Sequence, residues 1–261
     1  MLQIIQNTTA LTLLILVLAS FVALGLGTFF IAKRFLSSLM FVEHTDFGGI
    51  FSSALGIFFG LILAFVTIGA WHNYNGVSQT VGQEGGAIYG IYTALDGYPL
   101  ETRQQGRKIL KQYMEEVITQ EWPKMVSNQN DLPALSVLNE LSRLIHQFKP
   151  SNFGELATQQ EVLRLMGEYR SIRNSRVMSA KSFIDSPMFL SLGLGAFCFL
   201  FYQCLYSMKS NRLHVVMISL LSISLGLIFF LILIYSNPFI GPSKIDPTDI
   251  KLILNYARLN P

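Results

Sequence analysis

The sequence predicts an all-α membrane protein, with four transmembrane helices and a helical extramembrane domain between the second and third. Three observations lead there. Of 261 residues, 51% are hydrophobic and only 13% charged, well below the roughly 25% charged residues of soluble domains. The charges are segregated: no Asp, Glu, Lys or Arg occurs in residues 1–32, 47–83, 186–208 or 213–243. Each of these stretches can hold one helix of the about 20 apolar residues that cross a bilayer. The remaining charge is concentrated, with 12 of the 19 basic and 12 of the 16 acidic residues in 73–185. The equal numbers leave that segment without net charge, so the overall +3 makes no case for a nucleic-acid partner, which needs a clustered basic face.

The chain divides into a first transmembrane hairpin (1–72, spans ~10–32 and ~48–72), a helical domain (73–186), a second hairpin (187–236, spans ~187–207 and ~213–236) and a tail (237–261). The first apolar run has no basic residue before it and is followed by Lys33-Arg34. It therefore reads as a span rather than a short secretory signal. In the following loop, Asp46 is placed to cap the second helix. His44 beside it makes a metal the alternative, but two ligands are not a site.

The second span organises the rest. Ser52, Gly56, Gly60 and Ala64 recur every four residues, a spacing that lets helix backbones approach closely in a membrane. Ile57, Leu61 and Phe65 form an adjacent stripe of large apolar residues. The helix leaves the bilayer through Trp71, His72 and Tyr74, an amphipathic collar of headgroup-level type. The helical spacing of Val77, Val81, Ile88, Ile91 and Leu95 extends beyond it. Gly82, Gly85, Gly86 and Gly90 weaken that extension unless they pack closely against a neighbour.

In the domain, Asp96-Gly97-Tyr98-Pro99 signals a turn. A helix over 101–120 is expected to bury Ile109, Tyr113 and Val117, before Glu121-Trp122-Pro123 interrupts it and a polar loop runs from Ser127 to Pro133. A helix over 134–147 carries Leu135, Leu138 and Leu141. One over 154–184 carries Leu156, Leu163, Met166 and Tyr169. Arg170, Arg173 and Arg176 lie three apart on the latter. They read as a solvated or headgroup-facing edge, or more sharply as an anion-attracting rim near a pore entrance. Pro187 opens the third span, Arg212 and His214 bound the loop into the fourth, and Asn237-Pro238-Phe239 stops it. Pro247-Thr248-Asp249 can start a short amphipathic helix with Ile250, Ile253 and Leu254.

No phosphate-binding Gly-rich loop, zinc-binding His-Glu-x-x-His helix or nucleophile elbow occurs. The histidines are scattered, and both cysteines, Cys198 and Cys204, lie in the third span without metal spacing. Catalytic residues, metal ligands and cofactors are therefore not expected, and the protein is read as not an enzyme. No ionisable residue is embedded in a span, which argues against a proton pump or coupled transporter. A passive pore closed by apolar side chains stays compatible.

The motifs run in a definite order: His44-Thr45-Asp46 before the second helix, Leu63-Ala64-Phe65-Val66, Trp71-His72-Asn73-Tyr74, Gln83-Glu84, Ile88-Tyr89, Glu121-Trp122-Pro123 and Asn237-Pro238-Phe239-Ile240-Gly241. In this order the chain resembles the bestrophin-like domain family of mostly bacterial membrane proteins and, more distantly, the bestrophins. Bestrophins are pentameric, mainly anion-selective channels whose second helix lines the pore. The resemblance implies a pore neck at Ile57, Leu61 and Phe65 or, matched from the Trp71 end, at Ser53, Ile57 and Leu61. It implies a homo-oligomer, a pentamer, in the bacterial inner membrane, passing an anion such as chloride. The acidic calcium cluster of bestrophins is represented here only by Asp246 and Asp249, too few oxygens for an ion that takes six to eight.

Charge flanking gives a divided topology. Lys33-Arg34 favours the short loops inside, whereas Arg170, Arg173, Arg176, Lys181, Lys244 and Lys251 outnumber them and favour a cytoplasmic domain. The cytoplasmic domain, with both termini, is the reading adopted. The competing function is a non-conducting membrane scaffold or sensor whose helical domain binds a partner. A third is a subunit of an ion-driven motor of the flagellar-stator type.

Overall fold

The computed structural model describes residues 9–35, 45–126, 134–180, 183–206 and 210–260. The helices are α1 (Ala10–Phe35), α2 (Thr45–Ala94), α3 (Leu100–Glu116), α4 (Trp122–Val126), α5 (Ala134–Gln147), α6 (Phe153–Met178), α7 (Ser186–Cys204), α8 (Asn211–Ser236) and α9 (Thr248–Leu259). No strand occurs among the described residues. Four helices, α1, α2, α7 and α8, are long and apolar enough to cross a membrane. The polar loop at 127–133, His44, the Asp46 side chain expected to cap the second helix, and Lys181 lie outside what is described.

The contacts divide the chain into two compact units, one of residues 1–74 and 182–243, the other of 75–181 and 244–261. In the first, Leu13 and Val17 of α1, Leu63 and Val66 of α2, Leu192, Ala196 and Leu200 of α7, and Leu225, Phe229 and Ile232 of α8 share one core. Helices α1 and α8 approach closely. A Cβ on Gly25 would sit 2.1 Å from Ser222 Oγ, and one on Gly226 would sit 3.0 Å from Leu18. Small residues there let two backbones meet where apolar lipid offers no hydrophobic drive to hold helices together.

Within one chain the expected close-packing stripe on α2 is only half occupied. Ser52 and Gly56 do meet α7, through Gln203 and Phe199. Gly60 and Ala64 are exposed, however, with nothing within 4 Å of a Cβ built on Gly60.

In the second unit the distal part of α2 buries Val77, Val81, Ile88 and Ile91. Two of its glycines, Gly82 and Gly85, are covered by α9: a Cβ on Gly85 would lie 2.7 Å from Asp249 Cβ. Gly90 faces Leu165 of α6, and a Cβ on Gly86 would meet nothing within 4 Å. The tail helix thus packs as part of the domain, burying Ile250, Leu254 and Ala257. Leu110, Tyr113, Met114 and Val117 form the buried stripe of α3 and the turn after it. On α5 the buried positions are Ala134, Val137, Leu138, Leu141 and Ile145, while Leu135 of α5 and Leu156 of α6 are exposed. Asn152 caps α6 by accepting from the Glu155 N–H at 2.9 Å. The Glu155 carboxylate reaches back to the Ser151 N–H at 2.7 Å, so the chain break at Pro150 becomes a helix start.

Between α3 and α4 the helix widens into a π turn, Val117–Glu121. Pro123 has no N–H to return to the carbonyl four residues back. The Trp122 N–H bonds Val117 O instead, and the wider turn carries Glu121 into the interior, where it is fully buried.

Candidate pore helix and a buried charge cluster

The α2 ladder is uncovered in a single chain. Ile57 is 70% exposed, Leu61 52% and Phe65 67%, while Leu63, Val66 and Ala70 of the same helix are buried. At about 100° per residue, Leu61 lies roughly 160° from Leu63 and 140° from Val66, so the ladder occupies the face opposite the packed one. Phe58, Ile62 and Ile68 widen that apolar face. Ser53, the alternative first rung, is exposed and folds its hydroxyl onto Gly49 O at 2.9 Å.

Below the ladder, Trp71 is 46% exposed and edge-on to the exposed His72 at 5.3 Å. Tyr74 turns inward, donates to Ser243 O at 2.8 Å and stacks edge-on against Tyr235. It thereby joins the Trp-His-Asn-Tyr run to the turn after α8. That turn, Asn237-Pro238-Phe239-Ile240-Gly241, buries Phe239 and is closed by Ile240 N–H to Asn237 O at 3.2 Å. Gly241 takes a left-handed conformation, φ 97°, which a side chain disfavours.

In the second unit two of the three arginines of the α6 stripe, Arg170, Arg173 and Arg176, are not at the surface. Arg173 and Arg176 are 3% and 0% exposed, which corrects both the solvated-edge reading and the anion-rim reading for them. Arg176 Nε donates to Glu84 Oε2 at 2.5 Å and its Nη2 to Glu84 Oε1 at 3.1 Å and Glu121 Oε1 at 2.5 Å. Its guanidinium also lies 4.8 Å from the centre of the Trp122 ring. Arg173 pairs with the other Glu121 oxygen. Tyr169 donates to Glu84 Oε1 at 2.9 Å and shares a 2.5 Å bond with Tyr113. Of that stripe, Arg170 stays near the surface, bonded to Asn139.

Two carboxylates and two guanidiniums balance formally, which a buried cluster requires. Burial alone lowers the Arg176 pKa, but Glu84 and Glu121 outweigh it and hold the guanidinium charged. Burial, with Glu121 and Glu84 nearby, pushes the Tyr113 phenol well above its ordinary value.

Among the described residues no group of three His, Cys, Asp or Glu side chains is arranged to hold a metal ion. Asp246 faces Lys244 at 3.8 Å and Asp249 faces the α2 glycines, so the two do not converge. The expectation that no ionisable residue lies in a span needs one revision. α8 begins at Asn211, and His214 in its first turns is buried, its Nε2 3.2 Å from Gln203 O.

The sequence matches the family model of the bestrophin-like domain over residues 19–250. The chain belongs to the bestrophin-like family. No curated protein sequence matches it. Solved structures share the fold of this bestrophin-like protein. A mutant of a bacterial bestrophin homologue from Klebsiella pneumoniae superposes with a TM-score of 0.64 at 12% identity, covering 95% of this chain and 98% of that one. A second mutant of the Klebsiella pneumoniae homologue gives 0.63 at 13% identity, with 94% and 99% covered. Another solved membrane protein gives 0.64 at 12% identity, with 95% and 97% covered. The motifs that carried the resemblance have structural work here: Glu84, Glu121 and Trp122 meet in the charge cluster, and Tyr74 and Gly241 fix the turn after the fourth span.

Proposed function

We propose that this bestrophin-like protein assembles as a homo-oligomer, a pentamer, and conducts anions such as chloride through a pore lined by α2. The neck is the ladder Ile57, Leu61 and Phe65. The observation that carries this reading is the position of that ladder: three large apolar residues on the one face of α2 that its own subunit leaves uncovered. Copies converging on an axis bury this face, and a ring of apolar side chains closes a pore by excluding water. From Phe47 to Gln83 the helix carries no charged side chain, and Glu84 is held by Arg176. The throat therefore presents no fixed negative charge to repel an anion. The surrounding membrane is read as the bacterial inner membrane, with the domain and both termini in the cytoplasm.

The test is electrical. Purified protein in planar bilayers is expected to give unitary currents, and Leu61→Ala to enlarge them. In a Cys198→Ala, Cys204→Ala background, Leu61→Cys is expected to cross-link subunits across the axis. An intact oligomer that is silent with and without Leu61→Ala, and not cross-linked through position 61, refutes the proposal and leaves a membrane-anchored helical domain.

A further inference from the structure

We propose a second binding site in the membrane unit: a cavity between the start of α2, the end of α7 and the first turns of α8 that binds an anionic phospholipid. It goes beyond the channel reading and does not depend on it. The cavity measures about 560 Å³, within the range of small-molecule sites. One side is polar, with Ser52, Gln203, Tyr206 and His214; the other is apolar, with Met217 and Leu221 along α8.

The polar side is a connected set of donors and acceptors. Gln203 Nε2 donates to Ser52 Oγ at 2.5 Å and His214 Nε2 lies on Gln203 O. The Tyr206 hydroxyl is shielded from solvent beside Ser52 and Tyr202. Hydroxyl, amide and imidazole groups gathered on one wall can donate to a lipid phosphate or ester.

The charge around the site selects the sign. Arg212 is exposed two residues before His214. Phe29 lies edge-on to His214 at 4.8 Å, and Lys33 Nζ stands 5.9 Å from the Phe29 ring. Arg34 follows, exposed. Cations at this end of the spans meet a phosphate headgroup, while Met217 and Leu220, both exposed on α8, extend an apolar track for an acyl chain.

The test is native mass spectrometry of the full chain in detergent, stripped of lipid and then titrated with palmitoyl-oleoyl phosphatidylglycerol or the matching phosphatidylcholine. One phosphatidylglycerol retained per subunit in preference to phosphatidylcholine is expected. Arg212→Gln is expected to lower phosphatidylglycerol retention roughly fivefold while leaving phosphatidylcholine unchanged. Tyr206→Phe is expected to weaken retention by about fivefold, and Leu221→Trp, which fills the cavity, to remove it. Equal retention of the two lipids by the parent overturns the proposal. So does undiminished phosphatidylglycerol on Leu221→Trp, or a Leu221→Trp that splits the oligomer when the parent holds no lipid, which would make a second copy the occupant. Should Leu221→Trp not fold, unchanged binding in both Arg212→Gln and Tyr206→Phe overturns it equally.

Discussion

Replacing Arg176 by Met tests whether the buried charge cluster holds the domain together. Methionine keeps much of the length and the apolar stem, so the change is mainly one of charge. The substitution removes three charge-assisted bonds, two to Glu84 and one to Glu121. It also removes the cation above the Trp122 ring. Glu121 keeps Arg173, but Glu84 keeps only the Tyr169 hydroxyl in a site with no solvent access. Stripping one partner from a buried ion pair costs about 3–5 kcal/mol, a large part of a typical stability of roughly 5–15 kcal/mol. At ~2–4 °C per kcal/mol for a chain of this size class, the expected fall in Tm is roughly 6–20 °C. Trp71 and Trp122 are the chain's tryptophans, so emission during thermal melting in a Trp71→Phe background reports the cluster directly. Adding Glu84→Gln to Arg176→Met removes the stranded carboxylate and is expected to restore part of the loss. A Tm within ~2 °C of the parent for Arg176→Met alone, on the scale that conversion sets, refutes the reasoning.

Other expectations follow from the same geometry. Gly25→Leu drives a side chain into Ser222 and is expected to separate α1 from α8, at a cost of about 1–3 kcal/mol or more, read as loss of the monodisperse particle in size exclusion. Gly241→Ala forces an L residue to φ 97° and is expected to cost about 1–2 kcal/mol, seen as a lower melting temperature. Burial pushes the Tyr98 phenol up to about 12 from 10.0. Its contribution is therefore complete below pH 10 and is lost as pH rises through 10–12, because the unfolded chain ionises first. Tyr98→Phe, which also removes a buried hydroxyl without a hydrogen bond, is expected to reduce that alkaline loss in pH-resolved melts.

The spans and helices were legible in the sequence because their causes are local. A bilayer excludes charge residue by residue, so uncharged runs mark α1, α2, α7 and α8. A 3.6-residue period marks the domain helices whether or not their partners are known. The arginines of α6 show where that logic stops. A stripe three apart is the same pattern whether it faces water or a buried carboxylate. The partners of Arg176 are Glu84 and Glu121, 92 and 55 positions away, and no spacing rule reaches across such distances. The cue available was Glu84 itself, the first charge after a long neutral run on α2 and one of the resemblance motifs.

The sequence by itself determined how many helices cross the membrane, where the charged domain lies and which stripe of α2 is apolar, since each follows from what one segment must do in its solvent. Tertiary structure alone decided that Gly25 and Gly226 bring α1 against α8, that the tail helix completes the domain by covering Gly85, and that two arginines are internal. Each of those outcomes depends on a second segment arriving: Asp249 over Gly85, α8 against α1, and two distant carboxylates neutralising a charge that could not otherwise leave water.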